Sequence, residues 1–200
     1  KMATSGNFGN IISVMVASIF LPFLPMKPVH LLTQNLLNDF AQMGMPFDGV
    51  DRDYLQEPKS WNLQGIRHFM RWLGPVSTVF DILCYLILWF VMGFNSIEQA
   101  ASFQAGWFIF GTLSQIAIIH MIRTGKVPFV ESMSSGRLTF STLLISVVAI
   151  VISFSDSAIA FDMMPLPIRF AHWLILLLLA YMLTIQLVEK VSIKRYGEGI

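Results

Sequence analysis

Charged residues nearly vanish from six stretches of the chain, at about 8–26, 28–47, 72–94, 103–122, 138–155 and 168–188. Each is close to the ~20 residues that an α-helix needs to cross ~30 Å of hydrocarbon. The first, third, fourth and sixth are apolar almost throughout, and the fifth is slightly short but rich in Ile, Val and Leu. The second carries Thr33, Gln34, Asn35, Asn38, Asp39 and Gln42. A helix of that kind holds in a membrane only where neighbours or a wet cavity cover its polar side. The pattern predicts an all-α fold, a polytopic membrane helix bundle with six transmembrane helices.

Composition agrees. Charged residues make up 12% of the chain, against ~25% in soluble domains, and mean hydropathy is +0.66. The basic residues then set an orientation. With a cytoplasmic N-terminus, six spans return the C-terminus to the cytoplasm. The inside segments hold Lys1, Arg52, Lys59, Arg67, Arg71, Arg123, Lys126, Arg137, Lys190, Lys194 and Arg195, and the outside segments only Lys27 and Arg169. That split, 11 against 2 of the 13 basic residues, is the bias expected of cytoplasmic loops. Segment 48–71, with mixed charges, Pro58 and Trp61, reads as a cytoplasmic loop containing a short amphipathic helix. The chain thus divides into a helix pair at 1–47, this loop, and a four-helix region at 72–200.

Other features narrow the function. A net charge of +1 offers nothing to nucleic acid, and the single Cys84 excludes an internal disulfide framework and a multi-thiolate metal site. No cleavable signal run opens the chain, and the abrupt start at Lys1 reads as the start of a fragment. Nor is there an internal repeat of the sort many secondary transporters carry. His30, His68, His120 and His172 lie in different segments, which disfavours a histidine metal site. Trp61, Trp72, Trp107 and Trp173 fall near proposed interfaces and read as an aromatic belt.

Asp39 is the most informative residue. At ~100° per residue, Asn38, Asp39 and Gln42 fall in one sector around Asn35, with Leu36, Leu37 and Phe40 on the other side. An acid inside an apolar span, with no evident intramembrane Lys or Arg beside it, marks a cation path by default. The alternative is a polar stripe that only holds helices together by hydrogen bonds. Pro22, Pro25, Pro28, Gly44 and Pro46 interrupt the helices on either side, and carbonyls freed at such breaks can join side-chain oxygens as cation ligands. Asp81 in the third span and Gln115 in the fourth are further candidates, each also readable as interhelical packing.

Several motifs resemble one family. PVHLLTQNLLNDF at 28–40 resembles the sixth transmembrane helix of P-type cation-transporting ATPases, and SGNFGNIISV at 5–14 resembles the fifth. SGNFGN, QNLLND, the Phe80-Asp81 pair, GWFIFGTLSQ at 106–115, HMIRTGKVPF at 120–129 and IKRYG at 193–197 match the bacterial magnesium-transporting branch more closely. The resemblance covers essentially the whole chain and implies helices five to ten, the C-terminal membrane half of an ATP-driven magnesium transporter. It carries cation-binding positions over to Asp39, Asn35, Asn10 and Asn7, with Asn38, Gln115 and Asp81 as further positions. In the calcium-pump branch a glutamate stands where this chain has Asn10, so the site here carries less charge. One acid with several amides suits a partly hydrated Mg²⁺, which favours oxygen ligands and sheds water reluctantly.

The resemblance further implies inward Mg²⁺ transport across a bacterial plasma (inner) membrane, with Mg²⁺ also accompanying ATP in other domains. No Asp-Lys-Thr-Gly-Thr phosphorylation motif occurs in the sequence, so no catalytic residue is expected here. The expected partners are the divalent cation, the lipid bilayer, and the first four helices and cytoplasmic domains of the same ATPase. Two other readings stay open: a self-contained secondary transporter or channel, and a non-transporting membrane scaffold.

Overall fold

A computed structural model describes residues 13–49, 63–123 and 133–196, with backbone alone for 63–73 and 191–196. Among these residues the chain is helical and has no strand. Helix α1 is described over 13–20. Pro22 and Pro25 keep the following segment, 21–27, unwound, since proline removes a backbone donor and clashes with the preceding turn. Helix α2, Pro28–Gln42, begins on a proline, which at the first helical position forfeits no hydrogen bond. It gives way to a 3-10 turn at Met45–Phe47.

Helix α3 covers Leu63–Leu86 and ends in a π-type turn at Ile87–Val91. Gly93 closes this end at φ 76°, the left-handed conformation that lets the Phe94 N–H reach back to the Leu88 carbonyl at 3.0 Å. Helices α4, Ala100–Met121, α5, Gly136–Phe154, and α6, Arg169–Tyr196, follow. The side chain of Ser135 caps α5 by accepting the Leu138 N–H at 3.3 Å.

Four stretches among the described residues are long and apolar enough to cross a membrane: Gly74–Val91, Ile97–Met121, Gly136–Phe154 and Arg169–Lys190. They correspond to the last four of the six predicted spans. The opening of the first predicted span lies outside the described residues. Helix α2 has 15 residues, or ~22 Å at ~1.5 Å per residue, and needs its flanking turns to cover the same distance. Helix α3 already begins at Leu63, so the end of the predicted 48–71 loop is the first part of a longer helix.

Helix α4 is the hub: it packs against α2, α3, α5 and α6, while α2 lies on α5 and α3 lies on α6. Phe103, Phe108, Ile109 and Phe110 are completely buried, on several sides of the helix. Helices α5 and α6 instead leave outward stripes such as Phe140, Leu143, Val147 and Leu176, Leu179, Leu183 uncovered, a distribution suited to lipid on one side and protein on the other. Hydroxyls near these faces turn back on their own helix. Ser18 donates to the Val14 carbonyl at 2.7 Å, Thr33 to Val29 at 2.8 Å and Thr184 to Ala180 at 2.8 Å. No hydroxyl so bonded is left unsatisfied where water is absent.

Two close approaches fix the helix spacing. A Cβ on Gly44 would lie 2.5 Å from the Leu138 Cα and 2.8 Å from its nitrogen, so the end of α2 meets the backbone of α5 directly. A Cβ on Gly106 would meet the side-chain tip of Leu88, which can rotate away. Gly44→Ala should therefore destabilise the protein by about 1–3 kcal/mol, the usual range for overpacking, and Gly106→Ala by less. Thermal unfolding of the two variants of the full-length protein in detergent should show the larger loss of midpoint for Gly44→Ala.

Candidate cation pathway

The buried stripe of α2 consists of His30, Gln34, Leu37, Asn38 and Ala41, the i, i+4, i+7, i+8 spacing of one helical face. His30 is committed to structure. Its Nε2–H reaches the Phe161 carbonyl at 2.8 Å and its Nδ1 accepts the Lys27 N–H at 3.2 Å. Gln34 and Asn38, one turn apart, are 1% and 3% exposed. Among the described residues, the Gln34 Nε2 and both amide atoms of Asn38 have no hydrogen-bond partner. Unpaired polar atoms at such depth are rare and mark positions where a ligand or water completes the bonding.

Asn35 and Asp39 take the opposite side. Both are exposed, and at ~100° per residue Asp39 points about 160° away from the centre of the buried stripe. Their neighbours on that outer face are Leu32, Leu36 and Phe40, all exposed. A carboxylate set among leucines in this way is costly on a lipid-facing surface.

A second polar group lies deeper. Asp81 on α3 is 2% exposed and accepts a 2.5 Å hydrogen bond from the hydroxyl of Ser13 on α1. The Trp107 side chain on α4 also hydrogen-bonds Asp81. Trp107 in turn borders a small gap lined by Val14, Met26, Gln34 and Gly111. Trp107, a partner of Asp81, and Gln34 of α2 thus border the same gap. Trp107, Gly111 and Gln115 recur at i, i+4 and i+8 and so share one stripe of α4. Gln115 is 6% exposed, and Ser114 beside it donates to the Gly111 carbonyl at 3.0 Å.

The sequence-predicted residues therefore separate into groups. Asn35 and Asp39 face outward together, Asn38 turns inward from the same helix, and Asp81 and Gln115 sit inside the bundle on α3 and α4. Asn7 and Asn10 lie outside the described residues. Trp107 is not an interfacial aromatic: at 3% exposure it is part of the interior, because its indole N–H serves a buried acid. Gln34 and Ser13 belong to the polar interior without having been singled out. The one-turn spacing of Gln34 from Asn38 was a usable signal, whereas nothing in the sequence set Ser13 apart.

Among the described residues no three His, Cys, Asp or Glu side chains gather as a metal site. On α2, α3 and α4 the oxygen ligands at these positions are the amides of Gln34, Asn35, Asn38 and Gln115 and the carboxylates of Asp39, on the outer face, and Asp81, in the interior. Amide and carboxylate oxygens of this kind are the ligand types that hard cations favour. Removing the two kinds of polar residue should have opposite effects on stability. Asn38→Leu abolishes the desolvation of unpaired amide atoms and should raise the thermal midpoint. Asp81→Leu removes the acceptor of the Trp107 side chain and should lower stability by about 1–3 kcal/mol. Differential scanning fluorimetry of the full-length variants checks both signs.

Comparison with known proteins bears on the same residues. A family model described as "Cation transporting ATPase, C-terminus" matches residues 23–191. The chain is 46% identical over 197 residues to "Magnesium-transporting ATPase, P-type 1" of Escherichia coli (strain K12), a match covering 98% of this chain and 22% of that protein. Proteins of the same name from Salmonella typhimurium strains 14028s and LT2 are 47% identical over 197 residues and 43% identical over 198 residues. These matches cover 98% and 99% of this chain and 22% of each relative. The chain thus spans about a fifth of the length of these relatives.

Proposed function

The chain belongs to the family of cation-transporting ATPase C-terminal regions, and from that premise we propose that it forms part of the ion-binding and translocation path of an ATP-driven magnesium transporter. A multi-pass membrane protein is the form its apolar helices and its family require. The observation that carries the proposal is the polar outer face of α2. Asn35 and Asp39 stand exposed among leucines, beside an inward-turned Asn38 whose amide atoms lack partners among the described residues.

In this reading the transported Mg²⁺ is the substrate. The Asp39 carboxylate neutralises part of its charge, and the side-chain oxygens of Asn35, Asn7 and Asn10 replace some of its waters. A single acid keeps the ion from being held too tightly, because each further carboxylate would deepen the well from which it must escape. The rest of the coordination and the hydrolysis of ATP, itself bound with Mg²⁺, belong to parts of the ATPase beyond this chain. Those parts also cover the outer face of α2, removing Asp39 from contact with lipid.

The setting is a bacterial inner membrane crossed six times, with both termini and the 48–71 loop in the cytoplasm. The end of the bundle that contains Arg123 and Arg137 is then cytoplasmic, as the charge bias requires. Lys27 and Asp162, 3.5 Å apart, lie at the outer end.

Asp39→Asn in the full-length transporter should reduce Mg²⁺ uptake and Mg²⁺-activated ATP hydrolysis by more than about tenfold, the lower end of what losing even an outer-shell support costs a metal site. Leu36→Ala on the same face, which removes no ligand, should leave activation by Mg²⁺ nearly as before. Unchanged Mg²⁺ activation in Asp39→Asn would show that the polar face of α2 is packing alone.

A further inference from the structure

Asp48, just beyond the end of α2, is not a solvated loop acid. Its side chain is 10% exposed and that of Arg123, at the end of α4, is 7% exposed, and the two meet at 3.1 Å. The other Asp48 carboxylate oxygen accepts the Ser135 N–H at 2.7 Å. Ser135 is also the residue that caps α5. One carboxylate therefore ties the end of α2 to the end of α4 and the beginning of α5 at once.

Neighbouring contacts act in the same direction. The Ser141 hydroxyl on α5 donates to the Ala41 carbonyl at 2.9 Å, and the Arg137 guanidinium lies 4.4 Å from the centre of the Phe47 ring. Gly44 permits backbone contact with Leu138 between them. At its far end α2 is held by the bond from His30 to the Phe161 carbonyl, in the turn that follows α5. The axial position of α2 along α5 is thereby set from both ends. At the Gly44 end, close packing fixes α2 against α5, and Asp48 adds a charged tie from that end to α4.

We propose that Asp48 is a positioning residue of the ion site: by binding Arg123 and the capped start of α5 together, it sets the register of α2 and hence where Asn35 and Asp39 stand. The proposal rests on the reading of α2 as an ion-binding helix. Its energetic basis is that two mostly buried, hydrogen-bonded charges hold their geometry far better than a screened surface pair. Removing Asp48 takes a buried acceptor from both the Arg123 guanidinium and the Ser135 N–H.

The test uses the full-length ATPase carrying Asp48→Ala, Asp48→Asn or Arg123→Gln, reconstituted in lipid. In Asp48→Ala the Mg²⁺ concentration for half-maximal ATP hydrolysis should rise about tenfold, the scale on which loss of outer supports weakens metal sites, while maximal turnover changes little. Asp48→Asn keeps an acceptor for Ser135 and should fall between. It supplies the same measurement if the alanine variant does not survive purification. A geometric readout accompanies the kinetics. Disulfide formation between Ala41→Cys and Ser141→Cys, followed by peptide mass, should be efficient with Asp48 present and impaired in its absence.

Loss of turnover at an unchanged half-activating concentration would reduce Asp48 to a merely structural residue and overturn the proposal. Unaltered crosslinking would overturn it equally. If Asp39→Asn left Mg²⁺ activation unchanged, the ion-site reading would fail by itself, and crosslinking would still decide whether Asp48 sets the register of α2.

Discussion

Hydrocarbon offers a polar group no partner, and most of this structure follows from that fact. Backbone groups are satisfied by helices, and hydroxyls such as Thr33 and Thr184 bond to their own preceding turn. The carboxylate of Asp81 is met by donors from two other helices. Against this background the exceptions carry meaning. Asn38, with neither amide atom paired among the described residues, and Asp39, on an apolar outer face, are tolerable only if something else completes their surroundings.

The arrangement of helices places these exceptions together on α2, which carries Thr33, Gln34, Asn35, Asn38, Asp39 and Gln42 among its 15 residues. Helix α4 touches both pairs, α2 with α5 and α3 with α6. Helix α2 could not persist alone, for its one covered face contains two amides and a histidine. Its stability comes from α5, through Gly44, Ser141 and the turn at Phe161, and from the unwound segment before it, where Gln104 donates to the Leu24 carbonyl at 2.7 Å. Helix α2 is thus held by contacts at its ends, leaving the polar residues between them to face in two directions.

Much of the fold was legible in the sequence, since long uncharged runs give the last four spans almost directly and the prolines at 22, 25 and 28 mark the break between α1 and α2. The angular stripe of Asn35, Asn38 and Asp39 also follows from helical spacing alone. What spacing could not supply was the side of α2 that its neighbours cover. The stripe straddles the edge of the buried face, so Asn38 enters the bundle while Asp39 leaves it. Trp107 was misjudged for a related reason: proximity to the end of an apolar run says nothing about a buried acid on another helix. The inward turn of Asp48 was likewise invisible, because its partners Arg123 and Ser135 are far away in the chain.

The central position of α4 has a consequence for the history of such a sequence. A helix with lipid on one side keeps a stripe along which leucine, isoleucine and phenylalanine can replace one another with little effect. Helix α4 has almost no such stripe: Phe103 through Thr112 are buried without interruption, and Gly106 leaves room for nothing larger unless Leu88 yields. Change there has to be concerted, a residue on α4 altering together with its counterpart on α2, α3, α5 or α6. The outer stripes of α5 and α6 are free to drift one substitution at a time, to follow the thickness and chemistry of whatever bilayer surrounds them.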